Sequence, residues 1–240
     1  MGKKPKKTLK IIAGVIIFLT LPSLLFFGFL YIKYDEDLPT GIQGEQADAL
    51  AHKMLDALDY QAFQNTNRIE WTFKERRHYE WDREKSTCDV YWKENKVVLN
   101  LNDYSKSKVY IHSFKNEGEI AKDLIKKAKK YYENDSFWLV APYKVFDPGT
   151  ERRLVKTVNG KEALLVTYTT GGSEPGDSYL WYLDENGMPT KFQMWVNILP
   201  IGGLEASWSH WTTTESGAKL PTFHSFMFFG FQIEDIKGTK

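Results

Sequence analysis

Residues 68–101 read RIEWTFKERRHYEWDREKSTCDVYWKENKVVLNL. Large apolar side chains alternate with polar ones in four short runs, which is typical of strands with one buried and one solvated face. Charged residues 83–85 form a loose turn between the second and third runs, and Glu94 and Asn95 form a tight turn before the fourth. We predict an antiparallel meander of four strands over residues 69–73, 79–82, 88–92 and 97–101.

Amphipathic helices are predicted on both sides of this meander. The first has one apolar stripe at helical spacing, formed by Ala47, Leu50, Ala51, Met54, Leu55 and Leu58. The second is predicted over residues 117–132 and has a lysine-rich face opposite its apolar face. An irregular stretch, 137–146, follows it. Further strands are then predicted over 153–158, 161–170, 178–184, 190–197, 204–214 and 220–235.

This order of elements predicts an α+β fold. Strands with one aromatic, apolar face tend to cover an apolar layer, and the two amphipathic helices can supply that layer. We therefore expect residues 45–237 to form a strongly curved antiparallel sheet, a half-barrel that does not close, packed around the two helices.

The N-terminus predicts a membrane anchor. Residues 11–32 are an uninterrupted apolar run, and as a helix they span roughly 33 Å, enough to cross a hydrocarbon core of about 30 Å. Residues 1–10 contain five lysines and no acidic residue, so we expect a basic cytoplasmic tail. Residues 33–44 then form a tether, and the main domain is periplasmic or extracellular.

A cleaved signal peptide is the alternative interpretation of this run. Such a signal has a shorter apolar region, followed by small residues at the cleavage site. Here bulky aromatic residues between Phe26 and Tyr34 occupy the end of the run, where a cleavage site would require small residues. An uncleaved single-pass anchor is therefore favoured, with Tyr31 and Tyr34 at the level of the lipid headgroups.

Composition excludes several classes of partner. The chain has a formal charge of +1, of which residues 1–10 contribute +5, so residues 11–240 carry −4. That balance argues against nucleic-acid binding, which normally requires a basic face. A lone cysteine, Cys88, permits neither an internal disulfide nor a thiolate zinc site. We expect no cofactor.

The pattern resembles the superfamily of lipoprotein localisation factors, which comprises a periplasmic carrier and an outer-membrane receptor. The likeness covers residues 45–237 and includes the order helix, meander, helix, meander. It also includes Phe137-Trp138-Leu139 and a hairpin over 179–195 that turns through Asp184-Glu-Asn-Gly187-Met-Pro189. The resemblance implies a hollow between sheet and helices that binds acyl chains without chemistry. This chain has neither the carrier's cleavable signal nor the receptor's lipidated cysteine, which favours a tethered binder over a shuttle.

Six aromatic residues of the predicted strands are the candidate ligand-binding set: Trp71, Phe73, Trp81, Trp92, Trp181 and Trp195. Aromatic residues make up 15% of the chain, and they can either fill a core or line an apolar cavity. Filling an ordinary core is the favoured interpretation, and the resemblance strengthens the alternative that they line a cavity. An error of one residue in strand register would move any of them to the opposite face.

No catalytic constellation is found, and we expect a non-catalytic protein. His78, Glu80 and Asp82 are potential metal ligands, but in a straight strand the first and third lie about 13 Å apart, so a solvated face is the favoured interpretation. His210 and His224 lie in predicted strands and are expected to be core residues. Residues 171–177 are interpreted as a hairpin loop, or alternatively as a lid.

Three functions remain open. The leading hypothesis is a membrane-anchored domain that binds a lipid acyl chain or another hydrophobic ligand, which predicts an apolar cavity. The second is an interaction module of the cell envelope that docks an unidentified protein partner or the membrane surface through the helix lysines or a sheet edge. It predicts a filled core. The third, an enzyme, lacks any supporting motif.

Overall fold

A computed structural model describes residues 4–170 and 175–240. Residues 171–174 of the predicted loop lie outside the described residues. Four helices occur in the described chain: α1 Lys4–Tyr34, α2 Glu45–Ala57, α3 Tyr60–Gln64 and α4 Glu119–Val140. Short 3-10 turns span Tyr104–Lys106 and Ala141–Lys144.

Strands form two runs along the chain, one before α4 and one after it. The first run is β1 Arg68–Phe73, β2 Arg77–Asp82, β3 Thr87–Trp92, β4 Asn95–Asn100, β5 Lys108–Ile111 and β6 Phe114–Asn116. The second run is β7 Thr150–Lys156, β8 Glu162–Tyr168, β9 Ser178–Leu183, β10 Pro189–Trp195, β11 Leu204–Ser207, β12 Ser209–Thr213, β13 Lys219–Phe226 and β14 Phe229–Thr239.

All fourteen strands belong to one curved antiparallel sheet. Its order is β6-β5-β4-β3-β2-β1-β14-β13-β11-β10-β9-β8-β7, and β12 pairs with β13 beside this path. The terminal strands β6 and β7 do not pair with each other, so the sheet is not closed into a barrel. The predicted α+β half-barrel is therefore confirmed.

Local irregularities accompany the curvature of the sheet. The pairing of β1 with β14 shifts register between Glu70 and Thr72, opposite Asp235, whose φ of 52° is left-handed. The pairing of β9 with β10 shifts between Pro189 and Lys191. Extra residues of this kind bend a strand and increase its local twist.

The predicted meander of residues 68–101 is confirmed as β1–β4, but three other predictions were wrong. The second long helix continues eight residues beyond Tyr132 and includes the first four residues of the stretch 137–146 that was predicted to be irregular. The strand predicted over 204–214 is divided at Trp208 into β11 and β12. The strand predicted over 220–235 is a hairpin, with its turn at Met227 and Phe228.

The concave face of the sheet holds the main hydrophobic core, against which α2, α3 and α4 pack. Helix α2 contributes Ala51, Met54 and Leu55, which are buried as its apolar stripe predicts. A smaller cluster lies on the other face and contains Val155, Ala163, Leu165 and Leu180, with Tyr182 and Trp195 packed against it.

A buried polar cluster attaches α4 to the sheet. Asp135 of α4 is fully buried and accepts hydrogen bonds from Nε and Nη2 of Arg77 at 2.6 and 3.2 Å. The Tyr79 hydroxyl donates to the same carboxylate at 2.5 Å. Burial, together with the adjacent negative charge, raises the pKa of Tyr79 and keeps its proton available as a donor. We call these three residues the clamp.

Over Leu9–Tyr34, helix α1 is long and apolar enough to span a membrane. A single-pass anchor and a signal sequence both have this property. The chain that follows is bonded to the sheet. Trp195 Nε1 donates to the Glu36 carbonyl at 2.7 Å. Ile42 exchanges two backbone hydrogen bonds with Leu154 on the outer edge of β7, at 2.8 and 2.9 Å.

Loss of the clamp carboxylate should destabilise the fold. In Asp135→Ala, the Arg77 guanidinium loses its partner in a mostly buried site, and we expect the free energy of unfolding to fall by about 3 kcal/mol. Urea unfolding of the full chain in mild detergent measures this. The matched control is Lys130→Ala on the exposed face of the same helix, expected to change stability by less than about 0.5 kcal/mol. Equal effects of the two substitutions would show that the clamp does not hold α4.

Candidate functional site

Helix α4 covers the concave face of the sheet, and its two halves contact different groups of aromatic residues. The half before the clamp lies over the first meander. There, Trp81 packs edge-on against Tyr132, with ring centroids 5.7 Å apart, and Trp92 packs edge-on against Tyr131 at 5.6 Å. Both tryptophans are buried by these contacts.

A cavity of about 250 Å³ opens at the beginning of α4, between the helix and strands β5 and β6. Its apolar lining comes from Val109 of the sheet and from Ala121 and Ile125 of the helix. The polar residues that line the cavity include Lys108 and Lys122. The interface between α4 and the sheet is thus open at this end and has an apolar floor.

The two ends of α4 are held differently. At its start, Gly118 has a φ of 81°, a left-handed conformation that glycine adopts without strain, and no side chain caps the helix. At its end, the chain enters a 3-10 turn that buries Tyr143. The Tyr143 hydroxyl lies 2.6 Å from the Lys219 carbonyl and 2.9 Å from the Leu58 carbonyl. Polar bonds therefore fix the C-terminal half of α4, whereas apolar contacts dominate at the N-terminal half.

A second aromatic region lies beyond the clamp, under the end of α4. Trp138 packs against Phe192, His224 and Phe231, with centroid distances of 5.1 to 5.6 Å. Trp181 and Trp208 continue this layer, 5.4 Å apart.

Four polar atoms of this region are buried without a hydrogen-bond partner among the residues that the structure describes: the Tyr168 hydroxyl, Trp181 Nε1, Trp208 Nε1 and His224 Nε2. A buried polar group without a partner costs about 1–3 kcal/mol, and most native interiors avoid this. The tyrosine and tryptophan atoms can donate a hydrogen bond, whereas Nε2 of the neutral His224 ring can accept one, because Nδ1 carries the proton that faces the Ser207 carbonyl. This region can therefore accommodate a hydrogen-bond acceptor as well as apolar groups.

His224 is a buried, neutral member of the same layer, which confirms its prediction as a core residue. Its Nδ1 lies 2.9 Å from the Ser207 carbonyl, and burial lowers the pKa of the ring to about 4. His210, predicted to be in the core as well, is exposed on β12, where its φ of 53° interrupts the regular strand. That prediction was wrong.

The structure brings five of the six predicted aromatic residues into the interior: Trp71, Phe73, Trp81, Trp92 and Trp181. Trp71 stacks on Tyr79 beneath the clamp at 4.5 Å, and Phe73 lies beside Phe231. Trp195 is on the opposite face of the sheet, in the small outer cluster, and so is not among the residues that could line the interior.

Several interior residues were absent from the predicted set, namely Trp138, Phe192, Trp208 and the clamp residues Arg77 and Asp135. Phe192 alternates with the outward-facing Gln193, and that period-two signal was available in the sequence. The clamp gave no local signal, because Arg77 and Asp135 are 58 residues apart.

The predicted metal candidates do not converge. His78 hydrogen-bonds to Thr72, while Asp82 pairs with Lys85 at 2.7 Å. Within residues 4–170 and 175–240, no group of three His, Cys, Asp or Glu side chains is placed to hold a metal ion. A surface depression of about 520 Å³ between β3–β4 and β5 has polar and charged walls and includes none of the six aromatic residues.

Fold and site together define an α+β protein whose unclosed curved sheet is covered by one long helix. No protein-family model and no curated protein matches the chain. Among solved structures, it is similar to a DUF1329 family protein from Desulfovibrio piger, at 8% sequence identity and a TM-score of 0.43. The match covers 81% of this chain and 94% of that one. Kinship with the lipoprotein localisation factors remains a prediction.

Acid should destabilise the second aromatic region. The folded-state pKa of His224 is about 4, below its ordinary value of 6.5, so the unfolded chain binds more protons between these values. Its contribution to stability is therefore complete above pH 6.5 and is lost as the pH falls towards 4, by about 3 kcal/mol. Urea unfolding of the full chain at pH 7 and pH 4.5 should show a smaller loss in His224→Phe than in the wild type. Equal losses would contradict a neutral, buried His224.

Proposed function

We propose that this protein is a membrane-anchored, non-catalytic extracytoplasmic domain that binds a hydrophobic ligand with a long acyl-type chain. The chain would lie between the N-terminal half of α4 and the tryptophans Trp81 and Trp92. Access would be through the 250 Å³ cavity beside β5 and β6.

The observation that carries this proposal is the unequal attachment of α4. Its second half is fixed by the clamp and by Tyr143, whereas its first half rests on apolar side chains and borders an open cavity. A modest outward movement of the first half would expose aromatic surface without breaking a polar bond of the clamp. An aliphatic chain inserted there would replace one set of apolar contacts by another, so the cost of opening would be small.

The second aromatic region supports a ligand that also carries a polar group. Tyr168, Trp181 and Trp208 each have a buried donor without a partner in residues 4–170 and 175–240. A carbonyl or ether oxygen that reached them would form hydrogen bonds that the protein interior itself does not provide. Lipids combine such oxygens with long apolar chains, so they are the favoured class of ligand.

Features of the N-terminus support the membrane location. Helix α1 is exposed along almost its whole length, and its apolar surface has the length of a bilayer core. The five lysines that precede residue 11 favour a cytoplasmic N-terminus, with the sheet domain on the far side of the membrane.

An interaction module is the second candidate, because the concave face is already filled by side chains of the helices. Its docking surface would be the exposed lysine face of α4, which includes Lys126, Lys127 and Lys130. Binding through this face would weaken with added salt.

Photo-crosslinking distinguishes the two candidates. The full chain in phosphatidylcholine nanodiscs is irradiated with a long-chain fatty acid that carries a diazirine on its chain, and the labelled peptides are identified by mass spectrometry. We expect labelling of α1 by the surrounding lipid phase and of peptides from β2, β3 and α4 by the bound probe. Ala121→Trp, which fills the cavity, should reduce labelling of β2, β3 and α4 about tenfold, which corresponds to 1.4 kcal/mol.

Two controls make this result decisive. Lys126→Trp introduces the same side chain on the exposed face of α4 and should leave the labelling unchanged. Labelling of α1 reports membrane insertion and should be equal in all variants. Wild-type protein labelled on α1 alone would overturn the ligand-binding proposal and favour the interaction module.

A further inference from the structure

One rim of the sheet carries two apolar protrusions, which we call the apolar rim. The first is the loop of residues 196–201 between β10 and β11, and the second is the tip of the β13–β14 hairpin, residues 226–229. Large side chains on both face solvent: Ile198 is 67% exposed, Phe228 66% and Phe229 71%. Isolated exposed apolar residues are common, but several on adjacent loops indicate a contact surface.

The strand registers place both protrusions at the same end of the sheet. Met194 of β10 lies opposite Leu204 of β11, so the intervening loop projects beyond that end. Ala206 of β11 lies opposite Phe226 of β13 in an antiparallel pair. In an antiparallel pair, residues before Ala206 lie beside residues after Phe226. Extending the register by two residues therefore places Leu204 beside Phe228. The hairpin tip is thus next to the beginning of β11 and the loop before it.

The C-terminal end of helix α1 lies next to this same rim. The Gly202 N–H donates to the Asp35 carboxylate at 2.8 Å, and the Glu36 N–H donates to the Gly202 carbonyl at 3.1 Å. A side chain at Gly203 would collide with Glu36, because a Cβ there would lie 2.8 Å from the Glu36 Cβ. The glycines thus let the loop approach the chain that leaves α1.

The contact extends into the apolar part of α1. Leu30 is only 7% exposed, while the neighbouring Phe29 and Tyr31 are exposed, and it belongs to the same hydrophobic cluster as Ile201 and Leu204. Leu30 precedes Tyr34 by four residues, which is about 6 Å along the helix axis. The loop therefore lies level with the last turn of the apolar helix, where the hydrocarbon core meets the headgroups.

We propose that the apolar rim inserts into the outer surface of the bilayer that α1 crosses, so that the domain rests on the membrane in one fixed orientation. The occupant of the rim is phospholipid, at the boundary between headgroups and acyl chains. This inference rests on the membrane anchoring in the proposed function but is independent of ligand binding inside the domain. Leu30 of α1 and Ile201 of the loop belong to one hydrophobic cluster beside an exposed apolar helix, which argues for lipid over a protein partner.

Charged residues next to the rim suit this placement. The β1–β2 turn lies beside β14, since the Lys74 N–H donates to the Gln232 carbonyl at 3.4 Å. It exposes Lys74, Glu75 and Arg76, and the Lys74 ammonium lies 4.1 Å from the centroid of the Phe231 ring on β14. Cations at this level can bind lipid phosphate groups while the adjacent aromatic residues lie below them.

Fluorescence quenching by lipid tests the orientation. Ile198→Cys and Phe228→Cys are labelled with the fluorophore NBD in the full chain, which is then reconstituted into phosphatidylcholine–phosphatidylglycerol vesicles. Cys88 is fully buried and is not expected to react. Phosphatidylcholine with a nitroxide near its headgroup should reduce the fluorescence of both labels roughly twofold or more, as for groups buried about 5–10 Å into the interface.

The controls separate orientation from anchoring. Val158→Cys places the label on an exposed apolar position in the β7–β8 turn, at the opposite end of the sheet, and should not be quenched. Leu19→Cys in α1, probed with a nitroxide deep in the acyl chain, should be quenched if the helix spans the bilayer. Quenching at Leu19 without quenching at Ile198 and Phe228 would overturn the docked orientation alone. No quenching at Leu19 would overturn the anchoring and the docking with it.

Discussion

The clamp formed by Arg77, Tyr79 and Asp135 is the interaction on which the interior of this protein depends. A carboxylate without solvent contact is stable only if strong donors surround it, and Arg77 and Tyr79 of β2 supply them together with the amide of Asn134. Helix α4 can therefore lie across the sheet in only one register. The clamp also divides the helix into a half fixed by directional bonds and a half held by less specific apolar contacts.

Under the proposed function, that division lets a well-packed domain keep one region that can open for a ligand. Aromatic edge contacts such as those between Trp81 and Tyr132 hold a surface together, but they impose weaker geometric demands than a buried ion pair. The curved sheet supplies a continuous aromatic wall, and the helix supplies a cover whose two ends differ in stiffness.

The sequence was informative where burial alternates along the strands. The meander of residues 68–101 was predictable because its buried residues recur at every second position between polar ones.

The β13–β14 turn was missed because apolar Met227 and Phe228 occupy it instead of typical turn residues. The extension of α4 depends on Asp135 meeting Arg77, a distant contact with no local signature. Trp195 was assigned to the wrong face, although Phe192 and Met194 already occupied the inward positions of β10.

The bonded stretch between α1 and the domain has one further consequence. Residues 36–42, if unattached, would reach roughly 24 Å and would let the domain range through the surrounding space. Instead Glu36 is hydrogen-bonded to Trp195, and Ile42 is hydrogen-bonded to Leu154. The connection is therefore held against the sheet domain at both ends and is not a free linker. With α1 anchored in a membrane as proposed, the domain would be confined to the surface of that membrane, and its encounters with other molecules would become a two-dimensional search by lateral diffusion.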